Sequence, residues 1–141
     1  MKKYKKGYTT GVYDMFHIGH LNILRRAKAK CEHLTVGVTT DALCFSRKNK
    51  YPIINENDRM EIVRSICFVD EVIPQENMDK LEAVSKIGAD VVFVGSDWKG
   101  TPIWDEYEKQ FAAIGCKVEY LDHTDGISST ILRDKLKETY G

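Results

Sequence analysis

Thr10-Gly11-Val12-Tyr13-Asp14-Met15-Phe16-His17-Ile18-Gly19-His20-Leu21-Asn22-Ile23-Leu24 is the stretch that decides how this chain folds. Its lead-in, Tyr8-Thr9-Thr10, is β-prone and runs into Gly11. His17 and His20 follow, with Ile18 and Gly19 between them, and an amphipathic helical pattern then begins. A strand that breaks at a glycine and continues as a helix leaves unpaired backbone N–H groups at the helix start, where a phosphate can be held. Three residues apart on a helix N-terminus, the two rings point the same way. A neutral imidazole donates one hydrogen bond and its cation two, so the pair suits charge building up on a phosphate. A lone histidine near a helix start is more often a cap or a solvated residue. Two at this spacing, straddling a glycine after a strand, point to a phosphate site.

Outward from this stretch, β and α patterns alternate. The spacing predicts a strand from Gly7 to Gly11 and a helix from Ile18 to Lys30, with Leu21, Leu24 and Ala27 or Lys28 on its buried face and Arg25, Arg26 and Lys30 outside. Leu34 to Thr39 reads as a short β-branched strand, followed by a polar, basic stretch from Cys44 to Asn55 interrupted by Pro52. Asn55-Glu56-Asn57-Asp58 is a capping sequence for a helix that carries Met60, Ile62, Val63 and Ile66 inward. A strand from Val69 to Pro74 and a helix from Met78 to Ile87, stopped at Gly88, come next. Asp90 to Gly95 is nearly continuous in apolar residues, as a parallel strand covered on both faces should be. A helix from Ile103 to Ala113, a strand from Lys117 to Leu121 and a last helix opening at Ser128 or Ser129 complete the chain. Together these predict an α/β fold: a single doubly wound, Rossmann-like domain with a five-stranded parallel sheet. Ligands in such sheets sit beyond the carboxyl ends of the strands, where Gly11, Thr39-Thr40-Asp41, Gly95-Ser96-Asp97 and Asp122-His123 fall.

The 141 residues suffice for one domain with a real core. Lys plus Arg and Asp plus Glu both number 21, so no general attraction to nucleic acid or to a membrane surface is expected, and a bound anion must be met by local positive charge. Cys31, Cys44, Cys67 and Cys116 show neither CxxC nor metal-ligand spacing and read as reduced thiols of a cytoplasmic protein. No signal peptide or membrane-length apolar run is visible.

Near the far end of the chain, Thr124-Asp125-Gly126-Ile127-Ser128-Ser129-Thr130 places three hydroxyl residues at a helix start after a glycine. One serine would suffice as a cap; three supply a set of donors for an anion. His-Ile-Gly-His resembles the HxGH signature of the nucleotidyltransferase superfamily. Class I aminoacyl-tRNA synthetases carry the same text, but no Lys-Met-Ser-Lys-Ser segment accompanies it here, and the length leaves no room for a tRNA-binding domain. Taken together, GVYDMFHIGH and TDGISST resemble the cytidylyltransferases that make CDP-alcohols. In length and layout the small bacterial glycerol-3-phosphate enzymes are nearest, and choline-phosphate and ethanolamine-phosphate cytidylyltransferases share both signatures. The resemblance spans nearly the whole chain, taking in Val69-Asp70-Glu71-Val72-Ile73-Pro74 and Gly95-Ser96-Asp97-Trp98.

By position, the resemblance implies that His17 and His20 contact the nucleotide phosphates and stabilise the pentavalent transition state. Asp14 would orient them electrostatically, with metal contact left open. Lys48 and Lys50 would close over the triphosphate and the second substrate. Arg59 and His123 would bind substrate. Val12, Tyr13, Asp97, Ile127, Ser128, Ser129 and Thr130 would line the nucleotide site, the last three holding the β- and γ-phosphates. No dedicated metal ligands are expected. Mg²⁺ would arrive with CTP, leaning on phosphate oxygens. A homodimer is also implied.

The implied reaction is attack by an alcohol phosphate on the α-phosphorus of CTP with release of pyrophosphate. A phosphate monoester, with a second pKa of about 6, is already a nucleophile at neutral pH and needs no general base. Glycerol phosphate is the first choice of acceptor, feeding a teichoic acid or capsule pathway. Ethanolamine or choline phosphate, or a phosphonate, is the alternative. Three positions depart from the glycerol-3-phosphate pattern: His123 and Cys67 stand where the family has arginines, and Met78 where it has a tryptophan. Two lost guanidinium forks leave a reading of another class open, a nucleotide-binding module without turnover.

Overall fold

The computed structural model describes residues 2–122 and 128–140. Five strands, β1 (Tyr4–Gly11), β2 (Cys31–Thr39), β3 (Glu71–Gln75), β4 (Val91–Gly95) and β5 (Lys117–Leu121), form one sheet in the order β3-β2-β1-β4-β5. Every neighbouring pair is parallel. This is the predicted α/β class and five-stranded parallel sheet. Its order reverses between β1 and β4, which opens a crevice beyond their carboxyl ends.

Five helices lie in the crossovers, α1 (Ile18–Lys28), α2 (Asp41–Lys48), α3 (Glu56–Arg64), α4 (Lys80–Ile87) and α5 (Pro102–Ala112), and α6 (Ser129–Tyr140) follows β5. The two-residue period of the strands divides the core. Leu34, Val36, Val38, Val91 and Phe93 face Leu24 and Ala27 of α1 and Val63 of α3. Tyr8 and Val92 face Val84 of α4 and Trp104 and Phe111 of α5 on the opposite side. α4 ends as expected at Gly88, whose φ of 71° is a conformation that glycine adopts without strain.

The differences from the sequence reading are local. The basic stretch after β2 is a helix over its first part: Thr40 caps α2 by accepting from the Leu43 amide, and Leu43 and Cys44 are buried. Capping threonine, Asp41 in the first turn and Arg47 and Lys48 in the last were its readable signals. Ile62, expected inward, is exposed, because α3 presents Arg59 and Val63 to the interior instead. β1 and β2 begin three residues earlier than predicted, since Tyr4 pairs with Cys31. The four cysteines are free thiols.

Candidate active site

The loop between β1 and α1 is tightly wound. Tyr13 and Met15 both take positive φ, 56° and 52°, on either side of Asp14. Such angles are costly for residues with side chains and persist where surrounding structure fixes them. Gly11 is required by the same turn: a Cβ there would lie 2.9 Å from the Tyr13 ring. The loop delivers His17 as the N-cap of α1.

Two backbone amides then set both imidazoles. Gly19 N–H donates to His17 Nδ1 at 3.0 Å, and His17 N–H donates to His20 Nδ1 at 3.2 Å. A ring whose Nδ1 accepts carries its proton on Nε2 when neutral. The rings are stacked with centroids 3.8 Å apart. Burial lowers the pKa of His17. Burial and then the neighbouring His17 bring His20 down to about 4, in a pocket walled by the Tyr13 and Phe16 rings. The pair is therefore neutral at physiological pH and offers Nε2–H donors, one from each ring. His17 Nε2 is buried and, among the described residues, has no hydrogen-bond partner.

His17 lines a cavity of about 450 Å³ at the carboxyl end of the sheet. Val12, Tyr13, Asp14, His17 and His20 line it from the β1–α1 loop, and Lys48, Lys50 and Tyr51 from the end of α2. Ser128, Ser129 and Thr130 close it from the start of α6. Asn49, in the left-handed conformation at the α2 C-cap, turns the chain between the two lysines. Residues from opposite ends of the chain thus face one space, rich in donors.

Asp14 holds these walls together. Its carboxylate accepts from the Ile53 and Ile54 amides, both at 2.9 Å, and from Arg133 Nη2 at 2.7 Å. Its carbonyl accepts from Ser129 Oγ at 2.7 Å. Burial alone would raise the Asp14 pKa, but the two amides and Arg133 outweigh it and hold the carboxyl below its ordinary value. Oδ1 accepts one of these bonds and Oδ2 the other two. Among the described residues no group of three or more His, Cys, Asp or Glu side chains is placed to hold a metal ion.

Arg59 corrects another expectation. Its side chain is 0% exposed, and its guanidinium donates to the carbonyls of Ile54, Val12 and Thr39 and to Asp41 Oδ1. It clamps the ends of β1 and β2 to the loop before α3 and presents nothing to a substrate. Asp97, on a 3-10 turn after β4 (Ser96–Trp98), does not line the cavity; its neighbour Trp98 does, with 43% of its surface exposed. Cys67 is exposed and outside the cavity. His123 and Ile127 lie outside the described residues.

The family profile described as Cytidylyltransferase-like matches residues 8–135. The chain belongs to that family. This cytidylyltransferase-like chain is 37% identical over 130 residues to the glycerol-3-phosphate cytidylyltransferase of Bacillus spizizenii, covering 92% of this chain and 95% of the relative. It is 36% identical over 134 residues to the Staphylococcus aureus protein of the same description, with 94% and 95% covered. Among solved structures, a lipopolysaccharide core biosynthesis protein from Thermoplasma volcanium matches with a TM-score of 0.72 at 26% identity, over 86% of this chain and 97% of that one.

Two residues outside both sequence motifs bear on the cytidylyltransferase-like site, Arg133 from its wall and Lys80 from a separate cavity of about 240 Å³ on the far side of Thr10. Arg133, one helical turn beyond Ser129, lines the cavity. Lys80 is 8% exposed, and its Nζ donates to Oγ1 of Thr10, itself a cavity residue, at 2.9 Å. Burial, with a contribution from the charge of Arg47, lowers its pKa to about 8. Among the described residues no carboxylate pairs with it. A lysine opening a helix is opposed by the helix dipole, and that misfit was its one signal in the sequence.

Proposed function

We propose that this protein transfers CMP from CTP to a small phosphorylated alcohol, glycerol phosphate first, giving a CDP-alcohol and pyrophosphate. The observation that carries the proposal is the cavity in which His17, His20, Lys48, Lys50 and the Ser128–Thr130 helix tip face one another. The names of the two bacterial relatives support the choice of CTP and glycerol phosphate.

A phosphate oxygen of the acceptor forms a bond to the α-phosphorus of CTP, and the bond from that phosphorus to the bridging oxygen of the β-phosphate breaks. The acceptor is already a dianion above its second pKa of about 6, so no proton has to be removed. What the protein supplies is position and charge compensation. Neutral His17 and His20 aim Nε2–H donors at the α-phosphate, where charge accumulates on the equatorial oxygens. Ser128, Ser129 and Thr130 hold the β- and γ-phosphates, with Lys48 and Lys50 closing over them. Val12 and Tyr13 lie against the nucleotide. Lys80, buried beside Thr10 without a counter-ion, meets the acceptor's phosphate. Mg²⁺ would be carried on the phosphate oxygens of CTP; among the described residues Asp14 is the carboxylate that lines the cavity, and it already bonds the Ile53 and Ile54 amides and Arg133. A cytoplasmic homodimer completes the reading. Among the described residues no helix is long and apolar enough to cross a membrane.

Pyrophosphate release from CTP, measured across glycerol 3-phosphate, glycerol 1-phosphate, ethanolamine phosphate and choline phosphate, tests the assignment. Release with a glycerol phosphate and none without acceptor is expected. CTP binding without release for any acceptor would leave a nucleotide-binding module instead, and a preference for ATP would change the base. Lys80→Met should raise the KM for the acceptor tenfold or more while leaving the KM for CTP within about twofold. In the wild type the same acceptor KM should climb as pH rises through about 8, where Lys80 loses its proton.

A further inference from the structure

The two lysines of the cavity wall, Lys48 and Lys50, flank a tight reversal at the end of α2. Asn49 between them takes the left-handed conformation, φ 57° and ψ 31°, and its N–H donates to the Phe45 carbonyl at 2.8 Å. A helix end of this kind is often accompanied by an apolar contact from the first residues of the turn back to the last helical turn. Those residues here are Asn49 and Lys50, and Tyr51 makes the contact instead. Its ring stacks on Phe45, with centroids 4.6 Å apart and planes 22° from parallel. Phe45 is 40% exposed and Tyr51 63%, and neither belongs to a core cluster, so burial in the fold does not account for the pair. Charge does. Arg47, Lys48 and Lys50 put three cations within four residues, and among the described residues none of them meets a carboxylate. Their mutual repulsion works to open the reversal. The stacked rings close it.

We propose that the Phe45–Tyr51 stack is a clip that presets Lys48 and Lys50 at the cavity before the anion arrives, with Phe45 and Tyr51 as positioning residues. The assignment rests on the reading of this cavity as a nucleoside triphosphate site. A segment held in its bound shape ahead of time spares the ordering cost at the moment of binding. The far side of the same segment is fixed separately, where the Ile53 and Ile54 amides donate to Asp14. The reversal is thus pinned at both ends, and the ring stack is the pin beside the lysines. Phe45 does not line the cavity, so any effect of its loss on a nucleotide passes through the reversal.

Calorimetric titration of the full chain with CTP and with CMP, each with Mg²⁺, decides it. Phe45→Ala and Tyr51→Ala should each weaken CTP binding about fivefold, in line with the loss of one aromatic pair. CMP binding should change by less than twofold, because CMP lacks the phosphates that the lysines meet. Tyr51→Phe, which keeps the ring, should recover most of the loss, and both alanine changes together should cost no more than either alone. In a Lys48→Ala/Lys50→Ala chain, Phe45→Ala should have no further effect. Unchanged CTP affinity in Phe45→Ala would overturn the clip, as would a loss that persists in the lysine-free chain. Equal weakening of CTP and CMP with a lower Tm would reduce the stack to a helix-end contact and overturn it too. A loss in Tyr51→Ala unmatched by Phe45→Ala would make Tyr51 a ligand contact instead. If Lys48→Ala/Lys50→Ala itself keeps the wild-type CTP affinity, the reading of the lysines fails and takes the clip with it; failure of the clip alone leaves that chain weakened.

Discussion

Two ionic regions of this molecule use the same residue types to opposite ends. Against the start of β1, Glu119 accepts from Lys3 at 2.9 Å, Lys30 at 3.1 Å and the Tyr4 hydroxyl at 2.7 Å. Nearby, Asp70 pairs with Lys28. Around the cavity, among the described residues, Lys48, Lys50 and Lys80 meet no carboxylate and His17 Nε2 meets nothing. Paired charges hold the fold, while donors without partners wait for an anion. The contrast separates two buried cations that a sequence cannot tell apart: Arg59, whose donors end on carbonyls and Asp41, and Lys80, whose ammonium donates to the Thr10 hydroxyl and lies over the Trp104 ring.

The largest break comes from the histidines. His17→Ala or His20→Ala should lower turnover by about 10²–10³-fold, on the order of 3–4 kcal/mol of transition-state stabilisation. His17→Asn sharpens the result, because asparagine can still cap α1 and accept from Gly19 N–H but has no Nε2–H. If His17→Asn restores the rate, the cap mattered and the donor did not. The pH profile gives an independent check. With His20 neutral down to about 4, the acid limb of kcat/KM should follow the acceptor's second ionisation near 6 and not the His20 imidazole.

Arg59→Ala tests the other side of the contrast. Removing a buried, fully bonded guanidinium strands Asp41 and three carbonyls, at a cost of about 3 kcal/mol. Denaturant unfolding should show that loss. If Arg59→Ala instead keeps its stability and raises the KM for a substrate, the arginine does reach the ligand and the clamp reading is wrong.

These cases also show what could be read in advance. The β/α alternation, the five strands and the helix starts are local properties of the chain: apolar runs, caps and the glycine at 88. The convergence of His17 and His20 with Ser128, Ser129 and Thr130 was legible because each set sits just past a strand end, and a parallel sheet brings those ends to one edge. The fates of Arg59 and Asp97 were not. Asp97 follows a strand end as well and Arg59 sits in the first turns of a capped helix, but whether a side chain faces the cavity or the interior depends on neighbours far off in sequence, such as Val12 and Thr39 for Arg59. The neutrality of the imidazoles was hidden for the same reason, since it follows from the rings packed around them. Lys80 and Arg133 lay outside any motif and became visible through their partners, Thr10 and Asp14.

The smallest effect belongs to Glu119, where the paired region can be titrated directly. Its carboxyl is pulled down to about 2, first by the hydrogen bond from Lys3, which outweighs its burial, and then by Tyr4 and Lys30. A folded pKa below the unfolded value means that the contribution to stability is fully present above the unfolded value of about 4.3. It drains away as pH falls through that value toward 2. Lys3 is 62% exposed, so solvent screening reduces what the pair contributes, and Glu119→Gln should cost about 1 kcal/mol at neutral pH. The variant and the wild type should then converge in stability as the pH approaches 2, with turnover near neutrality unchanged throughout. A Glu119→Gln protein that keeps its stability but loses affinity for CTP would erase the distinction between the two regions, because a charge spent on the fold would then be serving the ligand.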